Sequence, residues 1–380
     1  MSQALIEQHY GDDLEQMEQV IAAIIPQYFL DADELVYACI NGATNKPYVD
    51  GDPDLDYPVE KMWCRNGAFP YELKRTFLNY EDVDMTTAEL LQAYLAKASA
   101  QPTKENRAAA DKLATLMIEV TEDVGRKNPY GFGFLPKLHG GIRHLHECFE
   151  FSADQLLKWM NALDTYREFT DDADRQQRIN AILLAAARWL DARDFVTPYM
   201  GSPNYARLNH LRHYHGCFAY LCARGYQLSA EEHLLAEARF FRDRMLNASQ
   251  DSPAANSMNL VLEALSRLVQ LMPEDQNVWL SLMRRNWQAR ANYYHPDGTA
   301  VYAGYRWHQG TRMATNYLIA KKLLPEIESE FDLPGLLLSH NCKAYFHHLV
   351  PGQELKINEA DGGIHTYRNA VLGLAYASWM

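Results

Sequence analysis

A loose repeat of paired helices most strongly limits what this chain can fold into. Each unit has a loop rich in Gly, Pro, Tyr and His, an apolar helix, a charged turn, and a second, more polar helix. The unequal spacing of the units is not that of a regular solenoid repeat. The pattern predicts six apolar helices, with starts near Thr86, Ser152, His213, Ala255, Thr311 and Thr366.

The second helices of the units complete the predicted architecture. Five are expected after the apolar ones, near Lys104–Val124, Asp174–Leu190, Ala230–Leu246, Asp275–Tyr293 and Leu333–Leu349. The last apolar helix, Tyr367–Met380, has no partner after it, and an amino-terminal helix over Asp12–Phe29 supplies one if the chain closes into a ring. We therefore predict an all-α fold, an (α/α)6 toroid, as a single domain over residues 1–380, with the more apolar helices inside. The alternative is an open α-solenoid, which favours a constant period and capping repeats.

Local signals mark two helix starts and one hairpin. Thr86–Glu89 and Ser152–Gln155 both match the capping box, in which a hydroxyl and an N3 side chain satisfy free backbone N–H groups. Strand patterns are scarce, and only Tyr293–Tyr302, with its Pro-Asp-Gly turn, is predicted as a hairpin.

The charge and the cysteines narrow the functional classes. A formal net charge of −13 opposes binding to a phosphate backbone, so no nucleic-acid partner is expected. No apolar run approaches the roughly 20 residues that span a bilayer, so no membrane partner is expected either. Six scattered cysteines without CxxC spacing favour reduced thiols and a cytoplasmic location. The amino terminus has no signal-peptide pattern, although a periplasmic protein with its signal trimmed would look the same.

The loops that lead into the apolar helices carry the candidate site, because a ring of this connectivity gathers them at one face. Candidate catalytic carboxylates are Asp84, Glu147, Glu150 and Asp154. The candidate substrate-binding residues are cationic or aromatic: Arg143, His144, His146, Arg212, His213, His215, Tyr305, Arg306, Trp307, His308, Arg312 and His365.

These residue types indicate an anionic carbohydrate as ligand. Arg and His concentrated on one face of an acidic protein suit a small anion such as a sugar carboxylate, and aromatic rings suit sugar stacking. Asp154 with Glu147 or Glu150 would supply an acid and a base for glycoside hydrolysis. Apolar neighbours such as Phe149, Phe151 and Leu156 would raise the pKa of the acid.

Each residue also has a purely structural interpretation. Asp154 at the start of a helix complements the helix dipole, and Asp84 suits a loop or a cap. The His-x-His pairs raise the possibility of zinc or iron, but their spacing fits no closed structural site. We therefore predict no metal and no cofactor.

The layout resembles the six-hairpin glycosidase superfamily, and within it the unsaturated glucuronyl and rhamnogalacturonyl hydrolases. The resemblance rests on Tyr80-Glu81-Asp82-Val83-Asp84-Met85 and Ser152-Ala153-Asp154-Gln155, which occupy the places of that family's two aspartates. It implies that Asp154 protonates an unsaturated uronyl double bond and then helps water to add. Asp84 would position the reactants, and arginine or histidine would hold the uronate carboxylate.

Three other functions remain open at this point. A polysaccharide lyase on a similar toroid would use His213 or Tyr214 as base, with Arg212 neutralising the uronate carboxylate. A sugar epimerase resembling the N-acylglucosamine 2-epimerases would use His213 and His365 as proton carriers. A non-enzymatic α-solenoid scaffold would bind a protein partner along a groove.

Overall fold

The structure is a computed structural model that describes residues 22, 25–41, 46–49, 76–80, 82–138, 141–142, 151–199, 202–207, 212–248, 255–289, 310–327 and 364–366.

Helices account for most of the described chain. A π-helical turn, Ile25–Phe29, and a short helix α1, Phe77–Tyr80, precede the repeats. Nine longer helices follow in the described ranges: α2 (Val83–Ala100), α3 (Lys104–Lys127), α4 (Ala153–Phe169), α5 (Ala173–Asp191), α6 (Arg212–Ser229), α7 (Glu232–Leu246), α8 (Ala255–Leu271), α9 (Gln276–Ala289) and α10 (Gly310–Leu323). The all-helical prediction is confirmed, and each of these helices begins within three residues of the predicted start.

The helices alternate between an inner and an outer layer. Among the inner helices, α2 packs on α4, α6 packs on α8, and α8 packs on α10. The outer helices α3, α5, α7 and α9 pack against them, as when Trp159 Nε1 on α4 donates to Thr121 Oγ1 on α3 at 2.8 Å. This arrangement is that of an (α/α)6 toroid.

The inner helices α4 and α8 run parallel. Their side-chain hydrogen bonds advance together along both helices: Lys158 bonds Asn259, Asn161 bonds Glu263, and Arg267 bonds Thr165. Parallel inner helices place their amino-terminal ends on the same side of the ring. The first turns of α4 and α8 therefore lie at the same face of the ring.

The capping-box predictions are wrong in detail. Helix α2 already begins at Val83, so Thr86 lies inside it, where its hydroxyl donates to the carbonyl of Val36 at 2.8 Å. Ser152 does precede α4, but its hydroxyl donates to the Asp154 carboxylate instead of accepting from the helix backbone. Both hydroxyls serve contacts outside the capping motif, which the local sequence does not reveal.

Two short sheets complete the described fold. Strand β1 (Cys39–Asn41) pairs antiparallel with β4 (Ile364–Thr366), with Ile40 opposite His365, and this pairing joins the two ends of the helical series. Ring closure therefore prevails over the open solenoid. Strands β2 (Val196–Tyr199) and β3 (Ser202–Arg207) form a hairpin that the sequence analysis did not predict. The predicted hairpin at Tyr293–Tyr302 lies outside the described residues, as does most of the predicted helix Asp12–Phe29.

An aromatic stack anchors the loop before α4. The ring of Phe134 lies 6.0 Å from that of Phe151 and 5.0 Å from that of Trp189, measured between centroids. Gly133 has a φ of +106° and lies so close to the outer helix α5 that an added Cβ would be 2.3 Å from the carbonyl oxygen of Ala185. The loop is thus held tightly against α5.

None of the described helices combines the length and the hydropathy that a membrane-spanning segment needs.

Candidate functional site

Asp84 is a buried carboxyl in the first turn of inner helix α2. Its side chain is 1% exposed, and its Oδ1 finds no hydrogen-bond partner among the described residues. Burial raises the pKa of Asp84 well above its ordinary value, and the nearby Asp82 adds to this. The charge of Lys137 and the backbone N–H of Leu138 oppose the rise without cancelling it. Asp84 therefore holds a proton at pH values where an exposed aspartate has lost one.

Asp154 occupies the corresponding first turn of inner helix α4 and is partly exposed. The hydroxyl of Ser152 donates to its Oδ1. The next residue, Gln155, donates from Nε2 to Oδ1 of Asp82 at 3.2 Å, which ties the starts of α2 and α4 together. The structure thus places Asp82, Asp84 and Asp154 at the same end of two neighbouring inner helices.

A charged layer, defined as Glu89, Lys158 and Glu263, lies one turn further into the ring. Lys158 Nζ is 2.5 Å from Glu263 Oε1 and 4.0 Å from Glu89 Oε1, and it also donates to Asn259. The exposed fractions are 1% for Lys158, 2% for Glu89 and 12% for Glu263. Asn259 in turn donates a hydrogen bond from Nδ2 to Oδ1 of Asn316 on α10 at 3.0 Å. Four inner helices thus meet at this depth through polar side chains.

The thiol of Cys217 on α6 is buried near the charged layer, and its pKa is raised first by burial and then by the charge of Glu263. Lys158 opposes the rise, and Asp154 adds to it. Lys158 follows Asp154 by four residues on α4, so the charged layer lies one helical turn below the end of the ring that holds Asp154.

A second ionic cluster lies near the carboxyl ends of the inner helices. The fully buried Asp164 accepts hydrogen bonds from Arg224, Arg167 and Tyr220 at 2.8 to 2.9 Å. Burial raises the pKa of Asp164, but the guanidinium groups of Arg224, Arg267 and Arg167 outweigh it and hold the pKa below its usual value. These contacts are ion pairs that stabilise the fold, and they lie at the face opposite Asp154.

The chain is similar in fold to solved glycoside hydrolases. No protein-family model matches the chain, and no curated protein matches its sequence. Among solved structures, a glycoside hydrolase family 76 enzyme (mannosidase) from Bacteroides thetaiotaomicron VPI-5482 superposes with a TM-score of 0.54 at 11% identity, over 96% of this chain and 97% of its own. This likeness shows that the two proteins share the (α/α)6 toroid fold. A family 76 glycoside hydrolase from a bovine Bacteroides thetaiotaomicron strain gives a TM-score of 0.51 at 12% identity, over 96% of this chain and 76% of its own.

For four of the predicted binding residues, the structure gives the backbone position. Arg212 and His213 lie in the first turn of α6, Arg312 lies in the first turn of α10, and His365 lies in strand β4. Arg212, His213 and Arg312 therefore occupy the same end of the inner helices as Asp154.

His215, one of the predicted binding residues, is buried between α6 and α7. Its side chain is 3% exposed, and its ring packs 5.7 Å from that of Phe241 on outer helix α7. The residue faces the layer between α6 and α7 and has no surface to offer a substrate. The preceding residue, Tyr214, points in a different direction from α6 and is partly exposed.

The other predicted site residues lie outside the described residues: Arg143, His144, His146, Glu147, Glu150, Tyr305, Arg306, Trp307 and His308. Within the described ranges, no three His, Cys, Asp or Glu side chains are grouped so that they could hold a metal ion.

The sequence analysis missed the charged layer, although a signal was present. Asp154, Lys158 and Asn161 recur at steps of four and three along α4, so they share one face of an otherwise apolar helix. Asn259 and Glu263 do the same on α8. A polar stripe on a helix predicted to be covered on most sides indicates a polar interior to the ring.

Proposed function

We propose that this chain is a glycoside hydrolase that cleaves an oligosaccharide at the amino-terminal ends of its inner helices. The observation that carries the proposal is the pair of carboxyl groups, Asp84 and Asp154, at the starts of the adjacent helices α2 and α4. Glycoside hydrolysis needs a carboxyl group that contacts the sugar as acid or base, and the groups around it set its position and its pKa. The likeness to two glycoside hydrolases supports the same reaction class. The single domain over residues 1–380 remains a prediction.

Different environments suggest different roles for the two groups. Asp154 is partly exposed, so we propose that it contacts the substrate as the acid/base group, with Glu147 or Glu150 as its possible partner. Asp84 is buried and its pKa is raised by that burial, so we propose that it positions the start of α2 and the Leu138 segment beside the reacting sugar. This division follows from exposure: a group that is 1% exposed has little surface with which to meet a sugar ring.

The proposed substrate is a uronic-acid-containing oligosaccharide, either saturated or unsaturated. Arg212 and Arg312 lie in first helical turns at the end that holds Asp154, where helix N-termini also favour negative charge. A guanidinium fork matches a carboxylate. A second candidate is a neutral mannoside, because one structural neighbour is described as a mannosidase.

The experiment compares Asp154→Asn with Asp174→Asn. Asp174 holds the same second position of outer helix α5 that Asp154 holds on α4, so both changes remove one carboxylate from a first helical turn. The substrates are unsaturated uronide oligosaccharides, followed by loss of ultraviolet absorbance, and mannoside oligosaccharides, followed by released reducing ends. We expect activity in the wild type and in Asp174→Asn, and a loss of at least about a hundredfold in Asp154→Asn.

Other outcomes separate the alternatives. A gain of absorbance on intact uronic-acid polymer identifies a lyase, with His213 and Tyr214 as the residues to change next. Exchange of a sugar hydrogen with solvent, without cleavage, identifies an epimerase. Equal activity in both variants contradicts the role of Asp154, and no activity of any kind leaves a binding scaffold.

A further inference from the structure

The charged layer has no role in the scheme above, and its position one helical turn below Asp154 gives it one. We propose that Glu89, Lys158 and Glu263 stabilise the positive charge that develops on the sugar ring as the glycosidic bond breaks. These side chains act across a distance as positioning residues and do not touch the substrate. The inference rests on the proposed function, since it assigns a second group of residues to the same site.

Stability alone does not explain why these charges are inside the ring. Lys158 and Glu89 are almost fully buried, and taking charges out of water costs free energy that the ion pair only partly returns. Replacing a buried ion pair with apolar residues of similar volume is often neutral or stabilising. Around Lys158, α4 is otherwise lined by Leu156, Leu157 and Trp159, which shows what an apolar interior would use. A charged cluster in this setting indicates a functional demand.

The charges of the layer do not cancel. Two carboxylates surround one ammonium group, which leaves one negative charge next to the end that holds Asp154. The opposite face carries the reverse balance, with three guanidinium groups around two carboxylates: Arg167, Arg224, Arg267, Asp164 and Glu168. Glu168 is 40% exposed, so water screens that cluster more strongly. The described interior therefore has its negative end towards Asp154.

The chemistry of the site explains why such a field is useful. Cleavage of a glycosidic bond passes through an oxocarbenium-like transition state with positive charge on the ring. The inner helices direct their amino-terminal ends at this place, and each end carries about half a positive charge. That field alone disfavours the transition state. Fixed negative charge below the site offsets it, and because the charge is held in place it needs no reorganisation during the reaction.

The test measures the preference of the site for a cationic sugar over a neutral one. The cationic probes are 1-deoxymannojirimycin and 1-deoxynojirimycin, and the neutral probes are methyl mannoside and methyl glucoside, all measured by calorimetry. Glu263→Gln removes one negative charge and should lower the ratio of cationic to neutral affinity about tenfold. Lys158→Met removes the positive charge and should raise the same ratio. Glu168→Gln, in the opposite cluster, should leave it unchanged.

The double variant Lys158→Met with Glu263→Gln guards against misfolding. In this variant neither Lys158 nor Glu263 is left charged without the other, and the single negative charge of Glu89 remains. The ratio of cationic to neutral affinity should therefore return towards that of the wild type. If the layer is only structural, each single variant should weaken the binding of cationic and neutral probes equally, or both single variants should shift the affinity ratio in the same direction. Either result overturns the inference. If the wild type binds none of the four probes, the site has no preference for a cationic sugar and this inference fails, while the hydrolysis assay with Asp154→Asn still decides the proposed function. If the wild type prefers the cations and Glu263→Gln keeps that preference, only this inference fails.

Discussion

The side-chain amide of Gln155 donates to the carboxylate of Asp82 at 3.2 Å, and this hydrogen bond joins the first turns of two inner helices. Asp82 immediately precedes α2, and Gln155 lies one residue after Asp154 on α4. The bond therefore fixes how far apart the two proposed site carboxyls lie. It is a positioning contact, because neither Asp82 nor Gln155 is proposed to contact the substrate.

Gln155→Leu should lower the turnover number about tenfold with little loss of stability. The leucine fills a similar volume, and the lost hydrogen bond costs about 1 kcal/mol of unfolding free energy. A small misplacement of reacting groups has a much larger effect on rate. Gln176→Leu is the matched control, since Gln176 also bonds near a helix start, to the carbonyls of Arg167 and Thr170 on the far side. The proposed site geometry is contradicted if both variants retain full activity.

Asp84→Asn should change the pH dependence of stability. The pKa of Asp84 is raised in the folded state. The contribution of this group to the stability of the wild type is therefore most favourable below about pH 4, the ordinary pKa. It becomes less favourable as the pH rises towards the folded-state pKa. The asparagine does not titrate. The stability of the variant relative to the wild type should therefore increase from pH 4 to pH 8, by about 1.4 kcal/mol for each unit by which the pKa is raised.

The measurement is urea unfolding of both proteins at several pH values. A difference that stays flat with pH would show that Asp84 is not a buried acid. The same variant also checks the division of roles, because an amide has the shape of a protonated carboxyl. Activity that survives in Asp84→Asn agrees with a positioning role, whereas activity that disappears from a folded protein would make Asp84 a proton donor.

Asp164→Asn should be strongly destabilising at neutral pH. The change leaves the buried guanidinium of Arg224 without its main carboxylate, and such losses cost about 3–5 kcal/mol. Because the folded pKa of Asp164 is lowered, its contribution is present above about pH 4 and disappears as pH falls through the folded value. The difference from the wild type should therefore shrink in strong acid. Asp123→Asn, which breaks the exposed pair with Lys127, should cost less than about 1 kcal/mol.

Gly133→Ala should be far more harmful than Gly131→Ala. Both glycines have positive φ, at +106° and +84°, so an alanine at either position is strained by about 1–2 kcal/mol. At Gly133 the new Cβ would also lie 2.3 Å from the carbonyl oxygen of Ala185, whereas nothing lies within 4 Å at Gly131. Thermal unfolding of the two variants measures the difference. Equal melting temperatures would contradict the tight contact between this loop and α5.

The sequence predicts the helices well because their signals are local. Apolar periodicity and charged turns lie within each helix, and the starts near Ala255 and Thr311 match the structure within one residue. The hairpin at 196–207 was missed because the short strand Val196–Tyr199 alternates only weakly and contains Pro198.

The site could be predicted only in part, because its key contacts are between distant residues. The sequence placed Asp154 at a helix start, but nothing near Asp84 shows that the Leu138 segment covers it. His215 lies beside His213 in sequence, yet its side chain turns towards Phe241 on another helix. Burial and pairing of this kind depend on tertiary packing, which composition and spacing do not encode.

The pairing of β1 with β4 also has a kinetic consequence. Ile40 meets His365, so the contact that closes the toroid joins segments separated by nearly the whole helical series. Contacts of such large sequence separation form late, because the entropy of closing the intervening loop must be overcome before the contact stabilises anything. During synthesis on the ribosome, the helical hairpins can assemble one after another, but β1 has no strand to pair with until residue 366 has emerged. The edge of β1 is then open to pairing with another chain, and this interval is when the protein is most exposed to aggregation.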